Sequence, residues 1–134
     1  MRRVLIVLGA LFGAVVVLIG AGTYLFAYQL TRYEAYPAFM EKDLPKGRVS
    51  YDELKRAFSQ FAEKAFPVGS DAKGAIAQAI EAGFQMAPPD RPNSAELLWS
   101  RHAGPCNERY FITIDQTADG KVASVTGKLF PVCL

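Results

Sequence analysis

The stretch VLIVLGALFGAVVVLIGAGTYLFAY, residues 4–28, decides the architecture of this chain because it contains no charged residue. Only Met1, Arg2 and Arg3 precede it, and all 13 acidic residues follow it, beginning with Glu34. The hydrocarbon core of a bilayer is about 30 Å thick and needs about 20 apolar residues in a helix. The stretch therefore predicts one transmembrane helix, residues 1–30, which is long enough to cross with some tilt.

The apolar segment could be a buried core helix, a cleaved secretory signal or an uncleaved membrane anchor. A buried core helix is disfavoured because the rest of the chain is too small to cover it. A cleaved secretory signal would have an apolar region of about 7–15 residues ending in a small-x-small site. The apolar run continues past the one candidate site, residues 20–22, into YLFAY, whose aromatic residues suit a membrane interface. We favour an uncleaved signal anchor, with the cleaved signal as the alternative.

The predicted orientation depends on Arg2 and Arg3 and on the two cysteines. Basic residues beside an apolar run favour a cytoplasmic N-terminus. A cysteine pair in the C-terminal region favours an oxidising compartment. Together they predict a single-pass protein of the bacterial inner membrane whose C-terminal domain is periplasmic.

Gly9 and Gly13 are spaced as a Gly-x-x-x-Gly motif inside this helix. Small residues at that spacing let two helices approach closely, so the pair is a candidate contact with a second copy or with another membrane protein. Glycine is also frequent in membrane helices in general, and ordinary composition is the simpler explanation.

The polar part of the chain, from residue 31 onward, is electrically balanced. Of the 15 Lys and Arg residues, Arg2 and Arg3 precede it, so the remaining 13 equal the 13 acidic residues. No basic run is present that would indicate nucleic acid as a partner. We expect a connector, residues 31–49, and one small α+β domain, residues 50–134.

Two helices are predicted at the start of this domain. Ser50 and Glu53 form a capping box, after which apolar residues recur on one helix face up to the residues before Pro67. A second helix is expected with Ser70 as its N-cap, a buried face of Ile76, Ala79 and Ile80, and Gly83 at its end. A proline-rich loop, residues 86–94, should follow.

The rest of the chain predicts a three-stranded antiparallel meander over residues 97–103, 110–115 and 121–127. An Asp119-Gly120 turn joins the last two strands. In a meander the third strand ends at the edge where the first two are joined, so Cys106 and Cys133 should lie together and form a disulfide. Two free buried thiols are the alternative, and a metal site is disfavoured because His102 is the single histidine.

No catalytic, cofactor-binding or metal-binding constellation is recognised. Ser100 and His102, with Asp115 in the same sheet, are the nearest approach to one, but residues two apart on a strand lie side by side rather than in nucleophile–base geometry. The expectation is a protein that is not an enzyme and that uses no cofactor.

The order of elements resembles a known module. A helix opened by Gly69-Ser70-Asp71, with Ile76 and Ile80 on one face and Gly83 at its end, precedes a meander with an Asp119-Gly120 turn. Residues 50–127 resemble the helix–helix–three-strand module of small envelope proteins related to the lipoprotein of the β-barrel assembly machine and to β-lactamase-inhibitor-type repeats. The resemblance implies a fold and the binding of other proteins. The chain differs in lacking a lipid-attachment cysteine.

Two hypotheses of function follow. The first is a non-catalytic, membrane-anchored binding or scaffolding module for another envelope protein, with Trp99 and Arg101 as candidate protein-binding residues. The second is an accessory or assembly subunit of an inner-membrane complex, held through its transmembrane helix. The bilayer is a partner in both.

Overall fold

The computed structural model describes residues 2–47 and 49–134, with side chains from residue 6 onward. The side chains of Arg2 and Arg3, on which the expected orientation depends, lie outside this described part, as do Met1 and Arg48. Eight elements follow one another along it. They are α1 Arg2–Thr31, α2 Ala38–Glu41, α3 Tyr51–Ala65, α4 Ala72–Glu81, β1 Gln85–Ala87, β2 Ser94–Ala103, β3 Cys106–Gln116 and β4 Val122–Cys133.

Helix α1 projects away from the rest of the chain. Every residue from Ile6 to Gln29 is exposed, and the hydroxyls of Thr23 and Thr31 donate to carbonyls one turn back, which satisfies them within the helix. Residues Ile6–Thr31 form a stretch of 26 residues that includes an 18-residue segment with a mean hydropathy of 2.4, so the stretch is long and apolar enough to cross a membrane. A signal sequence near the N-terminus meets the same criteria.

Part of the connector packs on the domain. Pro37 precedes the short helix α2, and Met40 and Leu44 are both buried in the core. The ring of Phe39 meets that of Phe61 edge-on, with 5.0 Å between centroids. These apolar residues cover the core, which an isolated linker could not do.

The first domain helix, α3, begins as predicted. Ser50 accepts a hydrogen bond from the Glu53 backbone N–H at 3.2 Å, and the helix ends at Ala65 before Pro67. Its buried face consists of Leu54, Phe58, Phe61 and Ala62.

Helix α4 departs from the prediction in two details. Its N-cap is Asp71, whose carboxylate accepts from the Gly74 N–H at 2.7 Å, while the Ser70 hydroxyl donates to the Pro67 carbonyl. Ile80 is 46% exposed rather than buried. The reason is that the alanines at 72, 75 and 79 face the core, which rotates Ile80 toward the surface.

Gly83 ends α4 as predicted. Its φ of +98° is left-handed, its N–H donates to the Ile80 carbonyl, and the Phe84 N–H donates to that of Ala79. This is a Schellman arrangement, which turns Phe84 back into the core.

The sheet has four antiparallel strands in the order β1-β2-β3-β4, so the predicted count of three was wrong. The meander of β2, β3 and β4 is present, and β1 adds to its edge by pairing Gln85–Ala87 with residues 96–98 of β2. Three residues before a Pro-Pro pair carry no alternating pattern, which is why β1 is invisible in the sequence.

Strand β4 also continues beyond Gly127, where the predicted strand ended. Gly127 lies within the strand because α3 crosses there: a Cβ at this position would be 2.9 Å from the Phe58 carbonyl oxygen and 2.9 Å from the Ala62 Cβ. All helices of the domain contact one face of the sheet, which we call the inner face. On the opposite, outer face the described residues place no helix apart from the last turn of α1, which contacts His102.

Candidate functional site

The end of α1 is joined directly to the sheet by residues 32–34. The Gly104 N–H donates to the Arg32 carbonyl at 2.8 Å, and the Glu34 N–H donates to the His102 carbonyl at 2.9 Å. The His102 Nε2 is 2.6 Å from the Gln29 carbonyl oxygen, within the last turn of α1. The chain leaving the helix thus continues as an extra strand segment beside β2, with no free linker between helix and domain.

Arg101 fastens this junction from the inner face. Its side chain is 10% exposed, and its Nε donates to Glu108 Oε2 at 2.6 Å. One terminal nitrogen donates to the Glu34 carbonyl at 3.0 Å and the other to the Tyr36 hydroxyl at 2.7 Å. The guanidinium carbon also lies 3.7 Å from the centre of the Tyr36 ring, a cation–π contact. Each of its three nitrogens is therefore engaged within the chain.

Glu108 is the buried acid of this cluster, with 3% of its surface exposed, and it faces Arg101 directly across the β2–β3 pair. Its Oε2 also accepts from the Tyr110 hydroxyl. Burial, with a hydrogen bond to Glu108, raises the pKa of Tyr110 above its ordinary value, and burial with the Glu108 charge raises the pKa of Tyr51 to about 12. Both phenols therefore lose their protons only at a higher pH than an ordinary tyrosine, and that of Tyr110 is the one that donates to Glu108.

A cleft opens over this cluster where the connector, α3 and β2 meet. A cavity of about 320 Å³ lies between Tyr33, Tyr51, Leu54 and Arg101, among other residues, and a second of about 410 Å³ adjoins it. Tyrosines and aliphatic residues line most of the first cavity, and the charged groups at its base, Arg101 and Glu108, are paired with each other. Such a cleft suits an apolar or aromatic group rather than an anion.

The disulfide lies at the same end of the sheet. Cys106 and Cys133 stand opposite each other in the β3–β4 register at disulfide distance, with S–S 2.04 Å, in the pairing predicted from the meander. The Leu134 N–H donates to the Pro105 carbonyl at 3.1 Å. The exit of α1, the β2–β3 turn and the last residues of β4 are thus neighbours.

The structure places the predicted protein-binding residues on the inner face. Trp99 packs against the rings of Phe84, Tyr36 and Tyr110, with centroids 5.2–6.4 Å apart. Trp99 is thus partly buried against the core, and Arg101 is bonded within the chain. A role for them in binding another protein stays a prediction.

The residues weighed for catalysis are spread apart. Ser100 and His102 lie on the outer face of β2, and Asp115 stands opposite Ser94 in the register. Eight residues of strand separate that position from His102, about 26 Å. The His102 ring is instead bound to the helix end through Gln29.

Gly9 and Gly13 lie on the exposed helix α1, and a Cβ at either would meet nothing within 4 Å. The surface they form is therefore open in this chain. Whether another helix contacts it stays a prediction.

The outer face of the sheet carries an apolar strip that the sequence analysis missed. Phe111 and Phe130 meet edge-on with 5.6 Å between centroids, Leu98 is opposite Phe111 across the β2–β3 pair, and Phe130 is 51% exposed. A groove of about 490 Å³ runs beside them, bordered by the charged residues Asp90, Arg91, Glu96 and Lys128. The available signal was adjacent apolar residues in β3 and β4, Tyr110-Phe111 and Leu129-Phe130, which must face opposite sides of a strand.

Comparison with known proteins finds no family model, no curated protein and no solved structure that matches the chain. The resemblance to the envelope-protein module therefore stays an expectation. What the chain does has to be argued from its own geometry.

Proposed function

We propose that this chain is a single-pass, membrane-anchored binding module that is not an enzyme and that presents the outer face of its sheet to another envelope or membrane protein. Its N-terminus is cytoplasmic, and its domain lies on the periplasmic side of a bacterial inner membrane. Helix α1 acts as an uncleaved anchor.

The observation that carries the proposal is the contrast between the two faces of the sheet. Helices cover the inner face, whereas the outer face carries exposed apolar side chains. Phe111 and Phe130 with Leu98 form a cluster of large apolar side chains on a surface that the described residues leave uncovered. Clustered aromatic residues with a charged border are typical of protein-binding surfaces. The groove beside them could receive an apolar side chain of the partner.

The junction supports the same function. Backbone pairing of residues 32–34 with the end of β2, together with the Arg101 contacts, holds the domain at the end of the helix. A module held in this way presents its outer face at a constant height and direction, which reduces the entropy lost on binding a partner in the same membrane.

Replacing Phe130 tests the proposal in the full chain. In intact membranes, chemical crosslinking of the wild-type chain should give a discrete product with a partner protein, and Phe130→Ser should lose it. Val68→Ser is the matched control, because Val68 is 73% exposed and lies in the loop between α3 and α4. A Phe130→Ser chain that is folded by circular dichroism and still gives the product at wild-type yield would contradict the proposal.

A second candidate function is an accessory subunit held through α1, favoured by the open surface at Gly9 and Gly13. Gly9→Ile combined with Gly13→Ile should then abolish co-purification with the partner complex in mild detergent. Gly22→Ile is the control, since nine residues after Gly13 is about two and a half turns and places it on the other side of the helix. Unchanged co-purification of the double variant would remove the support for this function.

A further inference from the structure

We infer that the end of the sheet formed by the β2–β3 turn and the last residues of β4 lies in the lipid headgroup layer, so that the domain rests on the bilayer. This membrane face comprises residues 102–107 and 131–134, and it leaves out Phe130, which belongs to the outer face. The inference depends on the proposed function in one respect, that α1 spans the membrane.

The length of α1 sets the depth of its last turn. Residues Ile6–Thr31 measure about 39 Å at about 1.5 Å per residue, which exceeds a hydrocarbon core of about 30 Å. If the uncharged run begins at one boundary, the core ends near Tyr24, where aromatic residues indicate the interface. Thr31 is then about 10 Å further along the helix, within the headgroup layer.

The β2–β3 turn lies beside this last turn of the helix. The His102 Nε2 is 2.6 Å from the Gln29 carbonyl oxygen, and the Gly104 N–H donates to the Arg32 carbonyl at 2.8 Å. Gly104 is so close that a Cβ there would be 3.1 Å from the Leu30 carbonyl oxygen and 2.8 Å from the Tyr33 hydroxyl. Residues 102–104 therefore share the depth of residues 29–32.

The composition of this end suits the interface. Residues 103–107 (Ala-Gly-Pro-Cys-Asn) and 131–134 (Pro-Val-Cys-Leu) contain no charged side chain. Val132 is 55% exposed, Leu134 is 97% exposed and Tyr33 is 55% exposed. Exposed apolar side chains at the exit of a membrane helix are stabilised by contact with lipid, whereas in water they would be costly.

The two charged residues beside Tyr33 form an ion pair. They are Arg32 and Glu34, whose side chains are 3.0 Å apart. The disulfide joins Cys133 to Cys106, so Val132 is held at the same end as the turn. The bilayer is therefore the occupant that this surface fits, because the surface is continuous with the anchor itself.

Quenching of tryptophan fluorescence by labelled lipids measures the predicted depth. The full chain is placed in phosphatidylcholine vesicles containing a headgroup-spin-labelled lipid, and one tryptophan is added to the native Trp99. Val132→Trp reports on the membrane face, and Leu134→Trp serves if the first variant does not fold. Val68→Trp is the control, since the neighbouring Gly69 N–H donates to Val122 at the other end of β4, about 33 Å from Val132.

The expected result is several-fold stronger quenching of the added Val132→Trp signal than of the Val68→Trp signal. Equal, weak quenching of both would overturn the membrane face. Tyr24→Trp with an acyl-chain-labelled lipid separates the two proposals, because it reports only whether α1 is in the bilayer. Quenching at Tyr24→Trp without quenching at Val132→Trp contradicts the membrane face alone, whereas its absence overturns the anchor and the membrane face together.

Discussion

Tyr110 and Phe111 are neighbours in β3, yet they belong to two different surfaces. Tyr110 is fully buried on the inner face and donates to Glu108, whereas Phe111 lies on the outer face against Phe130. On the inner face the polar groups are bonded to one another and hold the connector to the sheet. On the outer face the apolar groups meet solvent. The comparison separates residues that build the domain from residues available for a partner.

The largest loss of stability is expected from breaking the ion pair between Arg101 and Glu108 on the inner face. Glu108→Ala leaves Arg101 buried without its partner, so the free energy of unfolding should fall by about 3–5 kcal/mol. Denaturant unfolding of the full chain in detergent measures this. Glu96→Ala, on the outer face of β2, is the control and should change it by less than about 0.5 kcal/mol. Equal effects of the two substitutions would remove the distinction between the faces.

The Cys106–Cys133 disulfide is expected to contribute a similar amount to the free energy of unfolding. It joins residues 27 apart in sequence, and closing such a loop stabilises by about 3–4 kcal/mol in the chain-entropy description. The double variant Cys106→Ser with Cys133→Ser should lose that much in the same unfolding experiment. In the native protein, a thiol-alkylating reagent should modify neither cysteine before reduction. Labelling without reductant would contradict both the pairing and the periplasmic location.

Gly127 gives a second test of the difference between the two faces, because helix α3 packs closely against its inner side. Gly127→Val places a Cβ where α3 lies, 2.9 Å from the Phe58 carbonyl oxygen, and should lower the free energy of unfolding by about 1–3 kcal/mol. Thr126→Val, the preceding position and on the outer face, should have little effect. Thermal unfolding followed by circular dichroism compares them, and a neutral Gly127→Val would mean that the packing of α3 is loose.

A smaller effect is expected at high pH. Burial and the Glu108 charge raise the pKa of Tyr51 from 10.0 to about 12, so the folded state keeps a proton that the unfolded state releases. The contribution of Tyr51 to the free energy of unfolding is fully present below pH 10 and is lost as pH rises from about 10 to about 12. The unfolding midpoint should therefore fall between about pH 8 and about pH 11, and less steeply in Tyr51→Phe. An identical slope in both proteins would contradict this account of Tyr51.

Local signals in the sequence predicted the elements that depend on local contacts. The Ser50 cap, the end of α4 at Gly83 and the meander with its cysteine pair follow from capping, backbone conformation and strand order. Strand β1 was missed because its pairing with β2 comes from tertiary contact and not from a pattern of its own. Ser70 and Asp71 can both cap a helix, and Asp71 does so because the Ser70 hydroxyl donates to the Pro67 carbonyl.

The inner ion pair was missed for a different reason. Arg101 and Glu108 stand opposite each other only if β2 and β3 run up to a tight turn at Gly104-Pro105. The predicted strands stopped at residue 103 and resumed at residue 110, so Glu108 fell in a loop. Opposite charges placed symmetrically about a Gly-Pro turn would have indicated the longer hairpin. With the longer hairpin, Arg101 is placed where it can hold the connector through Glu34 and Tyr36.

The most direct test of the account compares one position from each face by photocrosslinking in intact membranes. A photoreactive amino acid is introduced at Phe130 on the outer face or at Trp99 on the inner face of the full chain. The account predicts a discrete protein adduct from position 130 and none from position 99. An adduct from position 99, or none from position 130 in a folded chain, would contradict the claim that the outer face is the binding surface.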